Sequence, residues 1–179
     1  FLSRLAGLYA AETDFEMAAH FLHRSMEIIE SCFGSESVEL ANEFYEWAYI
    51  LESQGNLVEA LHFSKRACEI EKNHYGANDN KLAHGLNNLG GIYQELGEFR
   101  KAQECYHDSL QLMEREYGPI HRNTATLLGN LAFSLQGSGE YNKARVYAER
   151  SYEIMESIVG VNHLDTSFCL RALDRTSTR

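Results

Sequence analysis

The stretch Leu86-Asn87-Asn88-Leu89-Gly90 returns as Leu128-Gly129-Asn130-Leu131-Ala132, displaced by 42 residues. The same step runs through almost the whole chain. Leu5, Trp47, Leu89 and Leu131 form one column, Ala6, Ala48, Gly90 and Ala132 the next, and Ala18, Ala60, Ala102 and Ala144 another. Gly34, Gly76, Gly118 and Gly160 make a further column. Self-similarity at such a period marks stacked supersecondary units, none of which can bury its apolar face alone. A stack of this kind offers a long concave surface and no evident place for catalysis.

Within one unit, residues 85–126, Leu86, Leu89, Gly90 and Tyr93 fall at i, i+3, i+4 and i+7, one face of a first helix. Gly97 breaks the pattern where a helix end favours glycine for its tolerance of positive φ. Phe99, Ala102, Cys105, Tyr106, Ser109, Leu112 and Met113 continue at helical spacing as a second, longer helix, which stops near Gly118-Pro119. The recurring Ala or Gly columns let the two helices approach closely. The fold expected is therefore all-α, with repeats at 1–42, 43–84, 85–126 and 127–168. Leu170 and Leu173 keep the first-helix spacing, so a capping helix is expected over 169–176.

Composition removes several function classes. The formal charge of -10 disfavours nucleic acid and anionic membrane surfaces, which need clustered Lys and Arg. No apolar run approaches the roughly 20 residues that span a bilayer. Cys32, Cys68, Cys105 and Cys169 are far apart, as expected of reduced thiols in packing positions of a cytoplasmic protein rather than of zinc ligands or disulfides. His20 and His23, three apart, lack a matching carboxylate or thiolate and make a poor metal site. His121 and His163 repeat because the turn between units repeats. No phosphate loop, nucleophile elbow or zincin helix occurs, so neither catalysis nor a cofactor is expected. The chain opens at Phe1 within an apparent helix, which reads as a fragment of a longer protein.

The order large, small, aromatic, glycine, small in Leu89-Gly90, Tyr93, Gly97, Phe99 and Ala102 resembles the tetratricopeptide repeat over essentially all 179 residues. The resemblance implies a right-handed α-solenoid. The 42-residue variety is similar to kinesin light chain, whose repeats carry L-N-N-L-A-x-L-Y, G-x-Y-x-x-A and L-G-x-x-H-P. Here these read Leu86 to Tyr93, Gly97 to Ala102 and Tyr117 to His121. The H-P pair is absent (His121-Arg122, His163-Leu164), and Glu46 and Trp47 replace the family's Asn and Leu. Residues 28–43 also resemble the C-terminal helical repeats of SET and MYND domain lysine methyltransferases, without that family's catalytic or zinc modules. That kinship implies an accessory, autoregulatory helical domain of a larger enzyme.

In such arrays the first helices line the inner face. Off the packing stripe they carry Ser3, Arg4 and Gly7; Tyr45, Glu46, Tyr49 and Glu52; Asn87, Asn88, Gly91, Gln94 and Glu95; and Gly129, Asn130, Phe133 and Gln136. Asn88 and Asn130 are one repeat apart, and an amide, with both donor and acceptor, can hold the backbone of an extended peptide. The resemblance implies that role; bonding to a neighbouring helix or water is the other. Asn87, not repeated in the next unit, is the weaker candidate. Tyr45, Tyr49 and Phe133 either form flat pockets for peptide side chains or fill space between first helices. Arg4, with Arg171 and Arg175 at the far end, could meet a ligand carboxylate, while Glu46, Glu52 and Glu95 make the middle acidic. The expected function is a non-catalytic scaffold that binds a neutral or partly basic peptide, or a partner helix, in its groove.

Overall fold

A computed structural model describes residues 1–160. The expected capping helix at 169–176, with His163, Cys169, Arg171 and Arg175, lies outside the described residues. Eight α-helices follow one another, with no strand among the described residues: α1 Leu2–Ala11, α2 Phe15–Phe33, α3 Val38–Ser53, α4 Leu57–Tyr75, α5 Leu82–Glu95, α6 Phe99–Tyr117, α7 Arg122–Gly137 and α8 Tyr141–Val159. The even-numbered helices begin and end at a constant 42-residue step. The chain divides into two compact units, Phe1–Gly85 and a second beginning at Leu86. In the first, α1 packs on α2 and α3 on α4, α2 also meets α3, and α1 touches α3. In the second, α7 packs against both α6 and α8.

The turn between the helices of a hairpin is set by the backbone. After α3 the amide of Asn56 bonds Leu51 O and that of Gly55 bonds Glu52 O, with Gly55 at φ +77°. This is the Schellman arrangement, which needs a left-handed residue beyond the helix end. The amides of Glu98 and Glu140 make the same reach to Tyr93 O and Leu135 O. The first hairpin places Thr13 in this position at φ +64°, the sole positive-φ residue other than glycine among those described. The longer helices stop at Gly34, Gly76, Gly118 and Gly160, with φ of 85–90° and ψ near 160°, a region essentially closed to side-chain-bearing residues.

The small-residue column on the first helices is not uniform, and the residue facing it explains why. Ala6 packs with Leu22, and Ala132 with Ala148. Gly90 instead faces Tyr106, a fully buried ring at 1% exposure; a Cβ on Gly90 would lie 2.7 Å from its Cε1 and 2.8 Å from its Cδ1. Glycine stands in this unit because the partner is an aromatic ring.

Candidate functional site

In the second unit the inner-face residues of α5 and α7 meet. The Asn130 side-chain amide donates to Asn87 Oδ1 at 3.0 Å, both residues half-buried. Asn88, one residue round the helix, is exposed. Asn88 and Asn130 are equivalent by the repeat, but the bond runs from Asn130 to Asn87, because a step of about 100° around α5 turns Asn87 toward α7. The residue taken as the weaker candidate is thus the one in contact. Two turns along α5 on the same face, Gln94 Oε1 is buried with no hydrogen-bond partner. On α7, Phe133 follows Asn130 by three residues and is 37% exposed. Asn87, Asn88, Asn130 and Phe133 therefore belong to two adjacent helices of one unit.

In the first unit Tyr45 does not stand free. Its hydroxyl donates to Glu71 Oε2 at 2.7 Å, with Cys68 Sγ at 3.3 Å, and its ring packs on Ala41, Ala67 and Ile70. The hydroxyl also occupies the space a Gly85 Cβ would need, 2.0 Å away. The polar tip of Tyr45 serves the α3–α4 hairpin, where the buried Glu71 carboxylate accepts its hydroxyl. Burial raises the Tyr45 phenol, with the Cys68 charge adding to it. Burial likewise pushes the Cys68 thiol up to about 11. It raises the Glu71 carboxyl as well, against the lowering effect of the Tyr45 hydrogen bond. Tyr49, one turn on, is 62% exposed, and Arg4 on α1 is exposed too. Beside them Ser3 Oγ donates to Glu43 Oε1 at 2.6 Å and lies 3.3 Å from Ser25 Oγ. Glu46, one turn after Glu43, has its carboxyl raised by burial first and by the Glu43 charge second.

A further concavity, not anticipated from sequence, is lined by α6, α7 and α8 of the second unit. It has a volume of about 710 Å³, a floor of Leu131 and Leu135 from α7, and walls carrying Arg100 and His107 of α6 and Lys143 and Tyr147 of α8. Lys143 pairs with Glu140 at 2.6 Å, which holds the Glu140 carboxyl below its ordinary range. The signal was present as a polar stripe at 100, 103 and 107 on α6.

The remaining candidates are structural. His121 Nδ1 accepts the Asn123 amide at 3.2 Å and caps α7, its ring stacked on Tyr117. His20 and His23 are exposed, and His23 lies against Trp47 at 4.7 Å between ring centroids. Cys32 is exposed on α2 rather than in a packing position. Among the described residues no group of three His, Cys, Asp or Glu is placed to hold a metal ion, and no helix is long and apolar enough to cross a membrane.

The model of the tetratricopeptide repeat matches residues 41–114, 81–157 and 123–173. The chain belongs to the tetratricopeptide repeat family. Its fold is similar to that of BtubC (BKLC) from P. vanneervenii, with a TM-score of 0.87 at 22% identity over 98% of this chain and 70% of that one. It is also similar to a putative kinesin light chain from Podospora anserina with nearly identical repeats, TM-score 0.85 at 18% identity, covering 98% and 83%. The apo form of RapI gives 0.79 at 18% identity over 96% of this chain and 45% of that one. No curated protein matches. The expected all-α repeat fold of the kinesin light chain kind is the fold observed, and stacked repeats of this kind present extended surfaces suited to protein partners.

Proposed function

We propose that the chain is a non-catalytic, cytoplasmic scaffold of four repeats, 1–42, 43–84, 85–126 and 127–168, and that its α5–α7 face holds an extended peptide. The observation that carries this reading is the Asn130–Asn87 bond at 3.0 Å, with the buried, unpartnered Gln94 Oε1 two turns along the same face of α5. Each amide has two N–H donors and a carbonyl acceptor, so one mutual bond leaves most of that capacity for a peptide backbone. Asn88 adds a second exposed amide, and Phe133 an aromatic surface for a side chain. Packed helices hold these groups in place, so little ordering entropy is lost on the protein side when a ligand arrives. In the first unit Arg4 and Tyr49 flank the equivalent face, and Tyr45 contributes shape alone.

The test is selection of binders from a random linear dodecapeptide phage library, then titration of the recovered peptides by fluorescence polarisation. Replacing Asn88 and Asn130 together by Ala should weaken binding about tenfold or more, as expected for lost hydrogen bonds to a desolvated backbone, with circular dichroism unchanged. An unaltered affinity would remove the α5–α7 face from the binding surface.

A further inference from the structure

Two glutamates are buried among the described residues, Glu43 at 6% and Glu71 at 7% exposure. Their surroundings differ. Glu71 accepts the Tyr45 hydroxyl and feels the His84 ring. Glu43 receives the Ser3 hydroxyl on Oε1, while Oε2 is buried with no hydrogen-bond partner. A carboxylate oxygen in that state is stabilised only when a donor reaches it, and an ammonium or guanidinium answers it best. Glu46 sits one helical turn further along α3 and interacts with Glu43 through charge alone, which places a second carboxylate on the same stripe. Tyr49 follows Glu46 by three residues and is 62% exposed, an aromatic face next to that second carboxylate. Arg4, the nearest cation in sequence on α1, makes no ion pair with either glutamate among the described residues.

We infer that Glu43, Glu46 and Ser3 form a subsite in the first unit for a lysine or arginine side chain of a protein ligand, with Tyr49 covering its aliphatic stem. The Ser25–Ser3–Glu43 hydrogen-bond chain fixes the inner carboxylate, while Glu46, at the surface, guides the cation in. This rests on the first unit alone and is independent of the amide face on α5 and α7.

The experiment is an amide-resolved NMR titration of the full 179-residue chain with Nα-acetylarginine amide and with its neutral isostere, Nα-acetylcitrulline amide. The arginine compound should produce saturable shifts at Ser3, Glu43 and Glu46, and the citrulline compound none at the same concentrations. Glu46→Gln, at a solvent-accessible position that the fold does not require, should weaken the arginine response about fivefold, the scale of one charged pair at a partly exposed site. Glu43→Gln with Glu46→Gln should abolish it. Equal responses to the two compounds, no response in the first unit, or an undiminished response in Glu46→Gln would each overturn the subsite. An arginine response confined to Asn88 and Asn130 would overturn it too, while leaving the amide face standing.

Discussion

Gly90→Ala is a substitution that ordinary helix chemistry favours and this packing forbids. In a helix interior Ala is about 1 kcal/mol better than Gly. Here the new Cβ would meet Tyr106 Cε1 at 2.7 Å, Cδ1 at 2.8 Å and Cζ at 3.1 Å. Carbon atoms rest at about 3.5–4.0 Å, so the ring must retreat by roughly 1 Å. Tyr106 is 1% exposed and has nowhere to go without displacing α6. Overpacking of this kind costs about 1–3 kcal/mol. The net expectation is a loss of up to about 2 kcal/mol, or up to about 4–8 °C in Tm for a chain of this size. The first hairpin supplies the compensating partner, since Ala6 is accommodated by Leu22. In a Tyr106→Leu background, Gly90→Ala should therefore become neutral or stabilising, although Tyr106→Leu itself destabilises. Urea unfolding followed at 222 nm for the four species gives the coupling, expected at about 1–3 kcal/mol. If Gly90→Ala costs the same with and without the tyrosine ring, the account of the small-residue column is wrong.

Thr13 holds φ +64° at the turn where the later hairpins use Gly55, Gly97 and Gly139. A β-branched residue in that region is strained by about 1–2 kcal/mol. Thr13→Gly should then raise stability by about 0.5–1 kcal/mol after the entropic cost of glycine, read as a higher Tm, whereas Gly55→Thr should lower it. Cysteine labelling with Ellman's reagent at pH 8 should separate the thiols. Exposed Cys32 reacts in the fast phase, while Cys68, half-buried and raised from 9.0 to about 11, carries about 100-fold less thiolate and reacts slowly. The sign is fixed by the direction of the shift. The thiol form is favoured by the fold, so its contribution to stability is intact below pH 9 and is lost as pH rises through about 11. A Cys68 that labels as fast as Cys32 would contradict its place beside Tyr45.

The backbone was legible because every turn repeats a stereochemical demand. Glycine at 34, 76, 118 and 160 can be read directly as helix ends, and α2, α4, α6 and α8 stop where those letters stand. The candidate site was legible only by helix, and not by contact. Ser3, Tyr45, Asn87 and Gly129 occupy one column of the repeat, yet their environments are set by residues from other columns. Ser3 bonds Glu43, forty residues on. Tyr45 reaches over the residue in the corresponding place, Gly85, whose missing Cβ makes room for the hydroxyl that serves Glu71. Asn87 turns to Asn130 instead. The periodic positions conserve distances between helices, and the non-periodic ones decide what chemistry fills those distances. A glutamate at 43 against a serine leaves an acceptor open, and a glycine at 85 against a tyrosine closes the same space. Ligand preference in such a fold is therefore written in pairs of residues about forty apart. A single repeat read alone, however regular, does not contain it.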